Sequence, residues 1–525
     1  MFVSYGFIAF IIGLVIVYYI IPKKLQWGLL LFASFGFYYF AGASYLIYIT
    51  VTATTVYLAG MYIGLQDKRY AEFVSSGKID RAQKKKVKAE FNRRKKLVML
   101  SCLILNLGIL AVTKYTSFVI ANINRFLDEG NAVDIPDLII PLGISFYTFQ
   151  AVSYLLDVYW GKCEVQRSYP KFLLFVTFFP QLIQGPISRY KDLSQTLYTP
   201  HKFVGVEVGY GLQRVLWGYF KKLVIADRLM PAVRELFDGA KHYTGGYVFI
   251  MMIFWAIVLY ADFTGGIDIT IGIARMLGIR VEENFVRPFF SKDITEYWRR
   301  WHITMGTWFR DYVFYPCSIS KPMRRLTSFG KAHFGMGAAK RIAVYLSTLI
   351  CWLATGIWHG AAWHFVAWGL TNGLILLITS ELAPLYGRFR RKHPGLVASW
   401  GYKLFMVGRT FLLMCCIRLF DVYNSAKLAI RQFVRMFTDL FSNPVKGSEL
   451  MSFGLTGTDY IIVAVGVVLM ITVSMCGRSR PVGERLKSTP YVVRFSVCLL
   501  LFLATVMLGK YGAGLDASQF IYNAF

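Results

Sequence analysis

Long apolar blocks alternate with short polar segments along the whole 525-residue chain. Most blocks approach the roughly 20 residues that an α-helix needs to cross a bilayer. They occupy residues 3–22, 27–43, 45–65, 97–120, 138–160, 171–187, 205–230, 246–278, 341–358, 361–383, 402–423, 459–477 and 491–509. Because hydrocarbon offers the backbone no hydrogen-bond partners, the pattern predicts an all-α polytopic membrane protein with about ten to twelve spans. The blocks near 171 and 205 contain glycine, proline or charge, and we expect broken or half-crossing helices there.

Composition agrees with this interpretation, since 56% of the residues are hydrophobic and the mean hydropathy is +0.48. That much apolar surface exceeds what a soluble core of this length hides. The N-terminal block lacks a positively charged start and a small-residue cleavage pattern, so we expect a retained first span rather than a cleaved signal peptide. The eight cysteines show no paired metal-ligand spacing, and neither a metal site nor a disulfide framework is expected.

The net charge of +29 is unevenly distributed, and residues 67–96 hold twelve Lys/Arg against four Asp/Glu. The positive-inside rule makes this basic loop, 66–96, cytoplasmic, and the three blocks before it place the N-terminus outside. The basic segments 320–341 and 387–395 are expected on the cytoplasmic side too. The charge either serves topology alone or also attracts a phosphate-bearing donor or an acidic carrier protein. Nucleic acid is not an expected partner, because the chain carries no recognition fold.

Residues 425–441, SAKLAIRQFVRMFTDLF, place apolar side chains at three- and four-residue steps. Lys427, Arg431 and Arg435 lie on another face of the same helical pattern. This predicts an amphipathic helix lying along the membrane surface and ending at Asn443-Pro444.

The segment 284–316 is rich in aromatic residues but too charged to span a bilayer. Its charged residues include Lys292, Asp293, Glu296, Arg299, Arg300, Arg310 and Asp311. Each would cost about 2.5–3.5 kcal/mol at the centre of a transmembrane helix, so the segment is predicted to lie in the interface or to line a polar cavity. Glu296 and Arg300 are spaced to pair along a helix. His302 follows Trp298 and Trp301, and is either a structural hydrogen-bonding residue beside an aromatic belt or a functional group.

Two acids, Asp262 and Asp268, lie in the apolar block 246–278 around Gly265-Gly266. Acids inside a span are functional candidates, although these two would share one face only if the glycines break the helix. The alternative is that they hold Arg275 or other cations that line a cavity.

The stretch GIWHGAAWHFVAWG, 356–369, sets two histidines in an otherwise apolar segment. A buried imidazole is costly unless it is hydrogen-bonded, so each is either a satisfied core residue or a working group. His364 lies about 140° around a helix from His359, which favours a packing or hydrogen-bonding role for it. Cys317 either carries a transient acyl or lipid group or is an ordinary loop residue.

Several of these stretches, in this order, resemble the membrane-bound O-acyltransferase (MBOAT) family. The resemblance is to the bacterial branch that contains alginate O-acetyltransferases and the D-alanyl transfer proteins of teichoic acid modification. The matching stretches are PLGISFYTFQAVSYLLDVY (141–159), FFPQLIQGPISRY (178–190), WGYFKKLVIADRL (217–229), DFTGGIDITIGIARMLGI (262–279), NFVRPFF with WRRWHITMGTWFRDYVFYP (284–316) and GIWHGAAWHFVAWG. The chain departs from the family after Tyr312, and at 417–423, where IRLFDVY replaces a Trp-Val-Phe-Phe-Arg-Ala signature. These departures bear on donor preference and partner docking.

The resemblance implies one membrane domain over residues 1–525, with N-terminal spans at 1–138, a catalytic core at 139–370 and C-terminal spans at 371–525. It implies a ring of about ten to twelve helices around a central catalytic funnel, with in-plane and half-crossing helices. It assigns His359 as the catalytic residue and His302 as the second. Further residues that could bind substrate or donor are Trp298, Arg299, Arg300, Trp301, Arg310, Asp311, Trp358, Asp262 and Asp268.

The activity expected from the resemblance moves an acyl group, by family analogy acetyl, from a cytoplasmic thioester to a hydroxyl of an extracytoplasmic polysaccharide or to a partner relay protein. The donor would be acetyl-CoA or the phosphopantetheine of an acyl carrier protein, with no permanent cofactor. Expected partners are the bilayer of a bacterial plasma membrane and an extracytoplasmic hydrolase-like transferase. D-alanyl transfer to teichoic acid and a polytopic transporter or flippase are the alternatives. An inactive scaffold that docks such a transferase is a further one.

Overall fold

The computed structural model describes residues 3–75, 80–128, 131–182 and 184–511, and these residues form helices and connecting segments without any β-strand. Cα packing divides the chain into two compact units. One contains residues 5–208 and 273–282, and the other contains residues 1–4, 209–272 and those from 283 onward. The predicted class, an all-α polytopic membrane protein, is confirmed.

The helices before residue 209 include two long ones, the third and the fourth, and several of 16 residues or fewer. They are α1 (Tyr5–Ile20), α2 (Gln26–Ala41), α3 (Tyr45–Ser75), α4 (Arg81–Asn124), α5 (Ile144–Tyr159), α6 (Tyr169–Thr177), α7 (Phe179–Leu182), α8 (Tyr190–Leu197) and the start of α9 (Gly205–Tyr219). The break between α6 and α7 confirms the expected interruption in the block near 171. The block near 205 does not break, since α9 continues through a π-helical stretch, Phe220–Ala226, into the next helix.

The remaining chain forms a second series of helices. They are α10 (Asp227–Asp238), α11 (Gly246–Met276), α12 (Ile294–Arg300), α13 (Ile303–Phe309), α14 (Tyr315–Ser318), α15 (Lys321–His359), α16 (Trp363–Lys392), α17 (Pro394–Ala398), α18 (Trp400–Ile417), α19 (Leu419–Val422), α20 (Ala426–Thr438), α21 (Gly447–Met451), α22 (Gly457–Cys476), α23 (Val482–Leu486) and α24 (Tyr491–Leu508). A π-helical stretch, Arg310–Phe314, joins α13 to α14, and the backbone of α15 is non-helical at Gly335.

Seven of the described helices are long and apolar enough to cross a membrane: α3, α4, α11, α15, α16, α22 and α24. This is fewer than the ten to twelve spans expected, because several apolar blocks form shorter helices. The blocks at 3–22 and 138–160, for example, each contain one helix of 16 residues. Such a helix is about 24 Å long, which is less than the roughly 30 Å of a hydrocarbon core.

The basic segment 67–96, expected as a loop, is largely helical. Helix α3 continues to Ser75 and α4 begins at Arg81, while residues 76–79 lie outside the described part of the chain. Lysine, arginine, alanine and glutamate all favour helix. The Lys95 ammonium also reaches the Asp67 carboxylate at 2.5 Å, which joins the two helices near the basic ends.

Helix α20 corresponds to the amphipathic segment 425–441. Its Ala429 and Met436 side chains are buried in a cluster with Met252 of α11, whereas Phe433 and Phe437 are exposed. The structure has a helix here, which ends at Thr438 rather than at Asn443-Pro444, and its apolar residues are divided between a buried and an exposed side. The lipid surface remains the predicted partner of the exposed face.

Candidate active site

His302 occupies a tight turn between two short helices, α12 and α13. Asp293 begins α12, where its side chain accepts a hydrogen bond from the Glu296 amide at 2.8 Å. The chain then reverses at His302, whose φ of 46° lies in the left-handed region that non-glycine residues rarely adopt. Such a conformation costs about 1–3 kcal/mol and persists only when the surrounding contacts hold it.

Asn284 supplies those contacts. Its side-chain oxygen lies 3.2 Å from His302 Nδ1 and accepts hydrogen bonds from the amide and hydroxyl of Thr304, each at 3.0 Å. Its backbone carbonyl accepts from the Ile303 amide at 3.0 Å. Sequence reasoning did not single out Asn284, although it opens the NFVRPFF stretch.

The imidazole of His302 is enclosed by aromatic rings. Phe263 contacts it edge-on with ring centroids 5.0 Å apart, and Phe285 and Trp358 lie at 6.3 and 6.1 Å. Only 1% of the residue is exposed, and burial lowers the pKa of His302 to about 3. The ring is therefore neutral at physiological pH.

His359 is the last residue of α15, where the chain turns into α16. Its ring contacts those of Trp368 and Trp358, with centroids 4.5 and 5.1 Å away. Trp358 is only 5% exposed. Its indole ring contacts the rings of both histidines. The structure brings the two histidines assigned from the family resemblance to one aromatic group.

Glycines let α15 and α16 approach closely enough to form this arrangement. A Cβ on Gly356 would lie 2.4 Å from the Phe365 carbonyl oxygen, and one on Gly369 would lie 2.4 Å from the Trp352 carbonyl oxygen. Any larger residue would push the helices apart and move the end of α15, which carries His359.

His364 makes a different contact from His302 and His359. Its Nδ1 is 2.7 Å from the carbonyl oxygen of Phe420, and the side chain is largely buried. The interpretation of His364 as a packing and hydrogen-bonding residue is confirmed.

Most of the other candidate residues in the segment 284–316 have partners within the protein. Arg300 pairs with Glu296 at 2.5 Å as the spacing predicted, and Arg310 pairs with Asp311 at 2.8 Å. Trp298 donates through Nε1 to the Asn372 side chain at 3.2 Å. Arg299 is exposed.

Trp301 is held by a buried arginine that sequence reasoning missed. The Arg418 guanidinium lies over the Trp301 ring at 4.1 Å, donates to the Tyr297 hydroxyl at 2.7 Å and pairs with Asp421 at 3.0 Å. Arg418 belongs to the IRLFDVY stretch, which the sequence comparison treated only as a departure from the family. Cation–π contact and charged hydrogen bonds together fix the residue next to His302.

Asp262 and Asp268 both form buried ion pairs from an unbroken helix. The glycines at 265 and 266 do not break the helix, because α11 runs continuously through them. Lys222 reaches Asp262 at 2.7 Å, and Lys221 reaches Asp268 at 2.6 Å. Arg214 also pairs with Asp268 at 2.8 Å. The two acids therefore hold cations, as the alternative predicted, whereas Arg275 pairs with Glu207.

The glycine pair permits close helix packing instead. A Cβ on Gly265 would lie 2.9 Å from the Gly218 carbonyl oxygen, and one on Gly218 would lie 2.6 Å from the Gly265 carbonyl oxygen. This contact brings the lysine-bearing π-helical stretch next to α11. Phe263, adjacent to Asp262, packs against His302.

All eight cysteines, including Cys317, are free thiols. Among the described residues, no group of three or more His, Cys, Asp or Glu side chains is arranged to hold a metal ion.

Comparison with known proteins finds similarity to membrane-bound O-acyltransferases. A sequence model of the membrane-bound O-acyltransferase family matches residues 165–330. The chain is 34% identical to a probable alginate O-acetylase of Azotobacter vinelandii over 285 residues, 53% of this chain and 52% of that protein. It is 30% identical to a probable alginate O-acetylase of Pseudomonas putida over 447 residues, 80% of this chain and 82% of that protein. A teichoic acid D-alanyltransferase of Bacillus subtilis is 26% identical over 53% of this chain and 68% of its own length.

A multi-pass helical membrane protein with two histidines around one tryptophan fits an acyl-transfer enzyme. The chain belongs to the membrane-bound O-acyltransferase family. This membership supports an O-acyltransferase and argues against the transporter alternative.

Proposed function

We propose that the protein transfers an acetyl group from a thioester donor on the cytoplasmic side to a hydroxyl of an extracytoplasmic polysaccharide or to a relay protein that modifies it. The observation that carries the proposal is the contact of His302 and His359 with the same Trp358 ring. The similarity to two alginate O-acetylases, at 34% and 30% identity, supports acetyl as the acyl group.

His359 is the general base in this proposal. An alcohol is a weak nucleophile, so a base takes its proton as the oxygen attacks the thioester carbonyl. The carbonyl carbon becomes tetrahedral, and its collapse expels the thiolate, which takes up the proton from the imidazolium. Atoms and charge balance, with an ester and a free thiol as products. Positioned base catalysis contributes about 10²- to 10⁴-fold in rate.

The donor is acetyl-CoA or the phosphopantetheine of an acyl carrier protein, and both carry phosphate. The exposed Arg299 and the basic residues of α15 offer cations for such a donor. By the same proposal, the basic ends of α3 and α4 face the cytoplasm of a bacterial cell and the N-terminus lies outside. A funnel within a ring of helices then leads the donor to His359, and an extracytoplasmic transferase of the hydrolase type receives the acetyl group.

The matched variants His359→Ala and His364→Ala test the catalytic assignment. Both remove an imidazole from the same fourteen-residue stretch, 356–369, but only His359 lies against Trp358 in the described contacts. Each variant is expressed in a strain that lacks the wild-type gene, and surface glycans are analysed by mass spectrometry. We expect O-acetyl esters to disappear with His359→Ala and to persist with His364→Ala.

The same experiment separates the alternatives. Retained acetylation in His359→Ala cells that contain the variant protein in their membranes would remove His359 from the mechanism. Loss of D-alanyl esters from teichoic acid, rather than of acetyl esters, would identify the D-alanyl branch. The similarity to a teichoic acid D-alanyltransferase of Bacillus subtilis supports D-alanyl transfer as the second candidate function.

A further inference from the structure

The side-chain oxygen of Asn284 has an unambiguous role as a hydrogen-bond acceptor. It lies 3.0 Å from the backbone nitrogen of Thr304, and a backbone N–H can only donate. Rotating the amide by 180° would place the NH₂ group against this N–H, so that two donors would face each other. The atom near Thr304 is therefore the oxygen.

The same oxygen lies 3.2 Å from Nδ1 of His302. An acceptor can be satisfied by this nitrogen only if the nitrogen carries a hydrogen. A neutral imidazole has one protonated and one unprotonated nitrogen, so the hydrogen on Nδ1 leaves Nε2 with its lone pair.

We propose that Asn284 is a positioning residue that holds His302 in the Nδ1–H tautomer, so that Nε2 acts as the acceptor of a hydrogen bond or proton. The consequence for catalysis rests on the proposed function. A neutral ring of this tautomer cannot polarise the thioester carbonyl through Nε2, because that nitrogen has no hydrogen to donate. His302 can therefore orient the base, His359, but cannot polarise the thioester carbonyl.

An asparagine suits this task better than an aspartate. Either side chain offers an oxygen to Nδ1–H, but a carboxylate would favour the charged imidazolium, whereas the amide leaves the ring neutral. The choice has a cost, since Asn284 is fully buried and its Nδ2 has no acceptor among the described residues. A buried donor left without an acceptor destabilises the folded state. The hydrogen bonds that the Asn284 oxygen accepts explain why an amide occupies position 284.

Nitrogen NMR of the wild-type protein tests the tautomer without any assay of activity. The protein is labelled with ¹⁵N-histidine, placed in lipid nanodiscs at pH 7.5, and compared with His302→Gln to assign the ring signals. We expect a protonated, pyrrole-type Nδ1 and an unprotonated, pyridine-type Nε2 for His302. The reverse pattern would overturn the inference, whatever the protein's substrate is.

Two variants test whether Asn284 sets this state. Asn284→Asp keeps the acceptor oxygen, whereas Asn284→Leu removes it at similar volume. We expect Asn284→Asp to keep the Nδ1–H signal and, because a carboxylate favours the charged ring, to add a proton at Nε2 as the pH is lowered. Asn284→Leu should lower kcat by about 100-fold or more with little change in KM for acetyl-CoA, and should alter the His302 signals.

The outcomes separate the inference from the proposed function. Equal loss of activity and an unchanged tautomer in both variants would reduce Asn284 to a packing residue. If Asn284→Leu does not fold, the Asp variant and the wild-type spectrum still decide. A wild-type protein with the expected tautomer but no acetyl transfer would leave the inference intact and refute the function.

Discussion

Replacing Lys222 with methionine should destabilise the protein strongly, although methionine is of similar length and suits an apolar setting. The Lys222 ammonium bridges two carboxylates, Asp262 at 2.7 Å and Asp227 at 2.8 Å. The side chains of Lys222 and Asp262 are only 2% and 1% exposed, so water cannot replace the lost charge. The variant leaves two buried acids without their shared cation.

The size of the effect follows from this geometry. Removing one partner of a buried ion pair costs about 3–5 kcal/mol, because the remaining charge is not solvated. Asp262→Asn should cost less, about 1–3 kcal/mol, because Lys222 keeps Asp227. Adding Asp262→Asn to Lys222→Met should recover part of the loss, since it removes one of the two stranded acids.

Thermal unfolding in mild detergent, followed by the loss of the monomer peak in size-exclusion chromatography, measures the order of these effects. Lys68→Met is the matched control, because Lys68 forms an exposed pair with Glu72 at 3.7 Å that is worth about 0–1 kcal/mol. We expect Lys68→Met to resemble the wild type and Lys222→Met to unfold at the lowest temperature. A Lys222→Met protein as stable as Lys68→Met would show that the buried network carries no net stability.

Three further predictions concern single positions. Gly218→Ala should cost about 1–3 kcal/mol in thermal unfolding, because its methyl group would lie 2.6 Å from the Gly265 carbonyl oxygen. Gly209→Ala on the same helix, with nothing within 4 Å, should be neutral or slightly stabilising, and equal effects would contradict the packing argument. His364→Ala should lose about 1 kcal/mol of stability with its 2.7 Å hydrogen bond but keep acyl transfer; an inactive, folded variant would give it a catalytic role. The ¹⁵N signals of His302 should not move between pH 8 and 5, because burial lowers its pKa to about 3 and the neutral form persists; a titration near pH 6.5 would refute this.

Features that depend on neighbours within one helix were predicted correctly. The Glu296–Arg300 pair followed from four-residue spacing. The role of His364 also followed from helical geometry. In each case the helix itself sets which side chains are neighbours, so the order of residues is sufficient information.

Predictions that required knowledge of packing were incomplete or wrong. A break of α11 at Gly265-Gly266 was left open by the sequence, but the helix is continuous and Gly265 is in close contact with Gly218. Ten to twelve spans were expected, and seven of the described helices are long and apolar enough to cross a membrane, because several apolar blocks form shorter helices. Asn284 and Arg418 were overlooked, because nothing near them in sequence marks them as partners of His302 and Trp301.

The sequence by itself determined that this is a helical membrane protein, because the match between apolar block length and bilayer thickness is a local property of the chain. Its ordered motifs also led to His302 and His359. Only the tertiary structure decided that both rings meet Trp358, that Asn284 holds His302, and that Lys222 joins Asp262 across 40 positions of sequence. Those contacts depend on how helices pack against one another, and many packings are compatible with the same pattern of apolar and polar residues.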